Sequence, residues 1–392
     1  MKTKQTSVFP KKNSSFYSQD PKVGIINPGY GYERVSYALN LPDFEYKRLY
    51  TLPIYRVMGA HAQFYRETPI VVDFGIDLLH TWNSLPISRK PFVVSFECEL
   101  PRYLGNVVPW QAGFGEKILR SKRCRRILAL SEAARNRFAI KCENLPDDGL
   151  MNKVEVFRGG VSLPILAKGT YSNSGPLKIL FVGTDAVRKG IVPLFNTCDK
   201  LVQQGLDLKL TFIGGFNEQC YVHGEHIPDV NEVETRLRQA KWVDYKGRVA
   251  VDSVFNQMTL HDILAFPTFD ESLGWVPIEA GMLGVPTIAT DIFAIPELIE
   301  HQNTGYLIAI DKRSDRRFIG LDTAGDELAE HLDKANKNIE NGLKTVIEDL
   351  YSNRDKIEQW GRAAKLRLST MYSPESAKNQ LTKIYNDALD IN

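Results

Sequence analysis

Short apolar runs bounded by turn residues alternate along the chain with stretches of helical spacing. KVGIINPG (22–29) reads as a buried strand entering a Gly-bearing turn, and Val35, Ala38 and Leu39 mark one face of a helix over about 32–40. Strand-like runs follow at YKRLYTL, VVDFGIDLLH, PFVVSFE, RRILALS and KVEVFRGG, with helical patterns between several of them. Apolar strands alternating with helices predict a mostly parallel sheet covered on both faces.

The text changes at 161–176, VSLPILAKGTYSNSGP, which is rich in Pro, Gly, Ser and Asn and reads as a linker. Alternation then restarts: LKILFVG, a helix through about Gln204, LKLTFIGG, a helix around 231–240, WVDYKG, DILAFPT, PTIATD and GYLIAI. Helices are expected at roughly 339–351, 353–368 and 375–390. Ser373 fits the N-cap of the last one and Pro374 its first position. The predicted organisation is a flexible arm at 1–20, a first Rossmann-like domain at 21–165, a second at 166–372 and a closing helix at 373–392.

Composition narrows the class. At 392 residues, 43% hydrophobic and 24% charged, the chain is an ordinary globular one with room for two domains. No apolar stretch of membrane-spanning length occurs, and the polar start MKTKQTSVFPKKNSS has no signal-like apolar core. Five widely spaced cysteines without a CxxC pair point to a reducing, cytoplasmic setting. Charge is unevenly spread: residues 1–150 carry 22 Lys and Arg against 14 Asp and Glu, the remainder 27 against 33. EKILRSKRCRRIL (116–128) packs six cations among Ile118, Leu119 and Ile127. It reads either as a solvated helix face or as a basic amphipathic helix lying on an anionic membrane. No motif for nucleic-acid binding is present.

The densest chemistry lies at 270–309, DESLGWVPIEAGMLGVPTIATDIFAIPELIEHQNTGYLIA. Pro277 fits the first turn of a helix, which puts Glu279 near its start and Glu271 in the loop before it. The backbone amides between them stand at a helix N-terminus, where phosphate is attracted. Carboxylates beside such a terminus can accept hydrogen bonds from sugar or ribose hydroxyls. In LFVGTDAVRKGI (180–191), Arg188 and Lys189 follow a strand at the start of a helix and can neutralise a pyrophosphate. Gly29 and Gly31, in NPGYGYERVSYAL, open a turn that lets backbone approach a ligand. Cys220, His223 and His226 share a three-residue spacing but lack a fourth zinc ligand, and His80 reads as a satisfied structural histidine.

The E-x7-E pair followed by EAGMLGVPTIATD, IPELI and NTGYLI resembles the donor-binding region of the retaining glycosyltransferases of family four, the glycosyl transferases of group 1, which have the GT-B fold. LFVGTDAVRKGI, NPGYGYERVSYAL, FRGGV, FIGG, YKGRV and RILALSEAAR resemble further segments of that family, closely over 177–310 and loosely over 20–160.

The resemblance implies a doubly wound α/β architecture, two Rossmann-like domains facing across a cleft. It implies a retaining hexosyltransferase that moves a sugar from a nucleotide diphosphate-sugar to an acceptor hydroxyl, the acceptor being a carbohydrate or lipid-linked. No cofactor and no metal are expected. By resemblance Glu279 takes the ribose, Glu271 the donor sugar, Arg188 and Lys189 the diphosphate, and Leu273, Gly274 and Trp275 present amides to it. Gly29, Gly31, Gly183 and Arg248 complete the donor site. The chain departs from the family where Glu97, in VVSFECEL, replaces a histidine, so Glu97 is either a catalytic polar group or structural. Phe293-Ala294 stand where small glycines are usual, and Trp275 is bulky; both changes are expected to reshape the donor-sugar pocket. Alternative readings are another GT-B enzyme, an epimerase or phosphorylase, and a non-catalytic or membrane-associated subunit of a glycosylation complex.

Overall fold

The computed structural model describes residues 20–26, 39, 41–102, 108–143, 149–166, 168–169, 174–217 and 219–390. The arm expected at 1–20, Gly29, Gly31 and most of the helix expected over 32–40 lie outside the described residues.

Two parallel sheets, each of six strands among the described residues, form the core. The first holds β1 (Lys22–Ile26), β2 (Glu45–Leu49), β3 (Leu78–Trp82), β4 (Phe92–Phe96), β5 (Cys124–Ala129) and β6 (Val154–Val156) in the order β2-β1-β3-β4-β5-β6. Every residue of β3 and β4 is buried, as expected where helices cover both faces of a sheet. Helices α1 (Ala62–Glu67), α2 (Pro109–Arg120) and α3 (Glu132–Cys142) accompany it, and Ser131 caps α3 by accepting from the Ala134 amide at 3.0 Å.

The second sheet holds β7 (Leu177–Gly183), β8 (Leu208–Gly214), β9 (Val243–Gly247), β10 (Ile263–Phe266), β11 (Thr287–Thr290) and β12 (Gly305–Ile308) in the order β12-β11-β10-β7-β8-β9. Helices α4 (Ile191–Gln203), α5 (Val230–Gln239), α6 (Val251–Leu260), α7 (Trp275–Met282) and α8 (Ile295–Leu298) connect its strands. This order reverses between β7 and β10, and ligands of open α/β sheets sit at the strand carboxyl ends beside such a reversal. The expected doubly wound architecture, built twice, is therefore what the chain adopts. Between the sheets, the described residues of 161–176 contain neither helix nor strand.

Three long helices follow: α9 (Gly325–Ser352), α10 (Asp355–Met371) and α11 (Pro374–Leu389). The first starts well before the expected 339, because Leu328, Leu332 and Ala335 continue the buried stripe of Ile339, Leu343 and Val346 at helical spacing. At α11, Ser373 accepts from the Ser376 amide and Pro374 occupies the first turn. Its Ala377, Leu381, Ile384 and Tyr385 join Val23, Leu78, Val93 and Leu128 in a core cluster of the first domain. Buried His80 binds Tyr385 Oη through Nδ1 at 2.7 Å and Ser95 Oγ through Nε2 at 2.8 Å, so it is a satisfied structural histidine. Burial pushes its imidazole down to about 3.

The basic segment 116–128 is not one helix. It ends α2 at Arg120, turns through 121–123 and becomes β5, because Ile127 and Leu128 belong to the middle of the sheet. Its cations disperse: Arg125 reaches Asp390 at 2.9 Å, Arg126 reaches Asp387 at 3.4 Å and Glu155 at 3.5 Å, and Arg123 donates to the Ser88 carbonyl at 2.5 Å. No continuous basic helix face results. Among the described residues, no helix is long and apolar enough to cross a membrane.

Polar contacts also cross between the domains. The Glu297 carboxylate, on α8, accepts from the amides of Glu132 and Ala133 at the start of α3, and Arg137 of α3 pairs with Asp315.

Candidate functional site

Two loops at the carboxyl ends of β7 and β10 build the second domain's side of the cleft. The loop after β7 runs through Gly183, Thr184 and Asp185 to Arg188 and Lys189, then turns at Gly190 into α4. Gly190 has φ +84°, and a Cβ there would sit against the Pro267 carbonyl oxygen, so only glycine fits where the two loops cross. The loop after β10 carries Asp270, Glu271, Ser272 and Leu273 to Gly274, the N-cap of α7. Gly274 has φ +96°, a left-handed backbone that favours glycine, just before the amides that the start of α7 leaves without intrahelical partners.

Side chains from the two loops interlock. Arg188 donates from Nε to Asp185 at 2.8 Å and from Nη1 to the Asp270 carbonyl at 2.6 Å. The Phe269 amide donates to the Arg188 carbonyl at 2.9 Å. Lys189 forms an ion pair with Glu271, both largely buried, and its ammonium stands 4.9 Å from the Phe266 ring centroid. Burial holds Lys189 below the ordinary lysine value even though Glu271 opposes the shift. The Asp270 carboxylate is gripped by Arg317 at 2.8 and 3.1 Å and by the Tyr221 hydroxyl.

These groups open onto a cavity of about 720 Å³ between the domains. Of the residues expected at the site, Gly183, Arg188, Lys189, Arg248, Glu271, Trp275 and Glu97 line it. Leu273, Gly274 and Glu279 stand behind that wall: Leu273 is buried, and Glu279 is 5% exposed one turn into α7. Glu279 follows Trp275 by four residues, which puts the two on one face of the helix. Phe293, expected to reshape the pocket, is fully buried away from the cavity and keeps φ +40°, a backbone region that favours glycine.

The first domain contributes Trp82, Asn83, Glu97 and Arg102. Asn83 Oδ1 accepts from the Glu97 amide at 3.2 Å, and the Glu97 carboxylate lies 3.9 Å from Arg102. Burial pushes Glu97 above the ordinary carboxylate value and the nearby Glu271 charge adds to this, while Arg102 and the Trp275 indole hydrogen bond oppose it. Sequence reading missed Asn83, Arg102, Asp270, Tyr221 and Arg317. For Arg102 a signal existed, a cation five residues beyond Glu97 in one loop; for Arg317 none did.

The cysteine–histidine set does not assemble. Cys220 Sγ contacts His223 Nδ1 at 3.1 Å, but His226 donates to the Gly325 carbonyl at 2.8 Å. Among the described residues, no group of three His, Cys, Asp or Glu is arranged to hold a metal ion.

Comparison with known proteins finds similarity over part of the sequence and over the fold. The family model of the glycosyl transferases group 1 matches residues 176–318, which contain both site loops. N-acetyl-alpha-D-glucosaminyl L-malate synthase of Bacillus anthracis is 39% identical over 109 residues, 27% of this chain and 25% of that protein. D-inositol 3-phosphate glycosyltransferase of Rhodococcus erythropolis is 27% identical over 172 residues, 43% of this chain and 38% of that protein. The chain thus spans between a quarter and two fifths of the length of these curated relatives. Solved structures share the fold over the whole chain. Anabaena HepE in complex with UDP and glucose has a TM-score of 0.59 at 13% identity, covering 93% of this chain and 99% of that one. Sucrose-phosphate synthase of Thermosynechococcus elongatus has a TM-score of 0.63 at 13% identity, covering 95% and 100%. Residues 176–318 thus match the glycosyl transferases of group 1, and the chain carries the GT-B architecture of two Rossmann-like domains facing across a cleft.

Proposed function

We propose that this chain is a glycosyltransferase that moves a hexosyl group from a nucleotide diphosphate-sugar to an acceptor hydroxyl with retention of anomeric configuration. The observation that carries this reading is the cavity wall itself: Arg188, Lys189 and Arg248 line one cavity with the first-turn residues Trp275 and Val276 of α7. Cations and helix-terminal amides converging at a sheet's switch point suit a diphosphate.

Arg188 and Lys189 hold the diphosphate in this scheme, and the ligand competes with Glu271 for the lysine. Glu271, once released, accepts from hydroxyls of the donor sugar. Trp275 presents a backbone amide at the cavity, with those of Leu273 and Gly274 behind it, and Glu279, which does not line the cavity in this structure, meets the ribose once Trp275 on the same helix face moves aside. As the bond to phosphate breaks, charge grows on the departing oxygen, where preorganised cations stabilise it. That oxygen takes the acceptor proton on the face it leaves, so no separate base behind the sugar is needed. Metal is dispensable here because the two cations fill its electrostatic role. Glu97 orients the sugar or the acceptor from the opposite domain. Anabaena HepE, solved with UDP and glucose and with UDP-glucose, shares the fold, which supports a nucleotide-sugar donor.

The test is a thermal-shift panel of UDP-, GDP- and ADP-sugars with and without chelator, repeated with Glu279→Ala. A ligand that binds only the folded form raises the midpoint by mass action. One nucleotide series should shift the wild-type protein, without metal, and lose its effect in the variant. No shift with any of them would overturn the reading.

A further inference from the structure

Four connections at the carboxyl ends of the second sheet meet at one carboxylate. Asp270, in the loop after β10, is 6% exposed. Arg317, beyond β12, grips it with a two-bond fork, Nε to Oδ1 at 3.1 Å and Nη2 to Oδ2 at 2.8 Å. Tyr221, in the connection after β8, donates its hydroxyl to Oδ2. The Asp270 carbonyl in turn accepts from Nη1 of Arg188, in the loop after β7, at 2.6 Å. Arg188 lines the cavity of about 720 Å³; Arg317 and Tyr221 do not, and line a smaller one beside it.

The clamp is rigid where it starts. Residues 313–317 close a tight turn, in which the Arg313 amide donates to the Arg317 carbonyl and the Arg316 amide to the Arg313 carbonyl, both at 2.9 Å. Asp315 fastens that turn, accepting from the Arg317 amide at 3.1 Å and from Arg313 Nη2 at 2.8 Å. Next to Arg317, buried Phe318 meets the Phe269 ring edge-on with centroids 5.7 Å apart. Arg188, by contrast, is oriented from outside its own loop. Its Nε is taken by Asp185 and its Nη1 by the Asp270 carbonyl, while Nη2 has no partner among the described residues. Residues 267–274 form neither helix nor strand, so no ladder of backbone bonds fixes the carbonyl that Arg188 meets. The Asp270 side chain fixes it instead, through the strong, planar form of charge-assisted hydrogen bond. Among the described residues, Arg317 is the one cation paired with that carboxylate. Without it the buried charge has to turn toward Arg188 or toward water, and either turn moves the carbonyl.

We propose that Arg317, assisted by Tyr221, is a positioning residue for the diphosphate site: by clamping Asp270 it aims Arg188 into the cavity. The proposal rests on the transferase reading above. Neither Arg317 nor Tyr221 touches the diphosphate in this scheme, and both act through Arg188 alone.

The test is a double-mutant cycle on nucleotide affinity. UDP, GDP and ADP are titrated against the whole chain by ligand-detected NMR, which reads dissociation constants into the millimolar range, and the tightest of the three is the probe. Arg317→Gln should weaken it at least tenfold. Tyr221→Phe, which removes one hydroxyl from a ring 63% exposed, should weaken it about threefold. In an Arg188→Ala background both substitutions should change the affinity less than twofold, because the group they aim is gone. A general loosening of the fold, or a direct contact with the ligand, would cost the same factor in both backgrounds. Equal factors in the two backgrounds would therefore overturn the proposal, as would no loss from either substitution in the parent. Should Arg317→Gln fail to fold, the Tyr221→Phe cycle decides alone. A parent protein that binds none of the three nucleotides fails the transferase reading itself, and this assignment falls with it.

Discussion

The Glu297 carboxylate of the second domain accepts from the Ala133 amide of the first at 2.8 Å, with the Glu132 amide at 3.0 Å and Arg158 at 3.3 Å completing its shell. An anion at the start of α3 meets both unsatisfied amides and the positive end of the helix, so one residue fastens two domains. Removing it leaves those amides without a partner. Glu297→Ala is expected to weaken the interface by about 1–3 kcal/mol and to widen the radius of gyration in small-angle scattering. An unchanged scattering profile would show that the domain angle is set elsewhere.

Lys189 is the buried cation of the cavity, and Glu271 balances it across 82 residues of sequence. Lys189→Ala should lower turnover by roughly a hundredfold or more, the usual scale for losing one preorganised charge-stabilising group. Circular dichroism should stay that of the folded protein. Normal transfer by this variant would remove Lys189 from the proposed chemistry.

Glu97 carries a pH signature. Its folded-state value is raised, so it takes up a proton at a higher pH than an ordinary carboxyl. If the ionised form orients the substrate, the acid limb of kcat/KM lies above the usual carboxylate range. The limb should vanish in Glu97→Gln. A limb that survives the substitution belongs to another group.

Stability should fall on acidification for a definable reason. His80 is buried neutral at about 3 and His223 at about 4, both through burial, whereas unfolded histidine titrates near 6.5. Their contribution is complete above about 6.5 and is lost as the unfolded chain binds protons below it. Each such site costs about 1.4 kcal/mol per pH unit below that point, until its own folded value is reached. Urea midpoints between pH 7 and 4 measure this; a flat profile would mean that these rings are solvated in the native state.

Gly190→Ala tests the crossing of the two site loops. Its positive φ and the Pro267 carbonyl beside the missing Cβ both oppose any side chain. A loss of about 1–3 kcal/mol is expected for the backbone conformation alone, with weaker nucleotide-induced stabilisation in the thermal-shift assay. A variant as stable as the parent would show that the loops can part without cost.

Sequence reading reached the architecture because strands such as FVVSF and LKILFVG, buried on both faces, are apolar almost throughout. Glu271 and the Arg188-Lys189 pair were visible because each lies at a strand-to-helix junction. Pairings between distant segments were not visible: nothing local announces that Lys189 meets Glu271, or that Arg317 closes on Asp270. Segment 116–128 was legible twice over: RRILALS reads as the strand that becomes β5, while the helix-face reading of the whole segment holds only to Arg120, because alternating cations and apolar residues fit both and the sheet decides between them. The first half of α9 was hidden by its polar run of Lys and Asn, whose apolar residues come once per turn.

The bond between His80 and Tyr385 spans 305 residues, and Gln380 reaches back to the Val156 carbonyl across 224. The first domain therefore borrows part of its core from residues made long after its own strands, while the second is built from a continuous stretch. During translation the first domain's strands emerge first, yet they cannot complete their core until the chain is nearly finished. Val23, Leu78, Val93 and Leu128, among the first residues made, stay uncovered until the residues of α11 have followed the whole second domain off the ribosome.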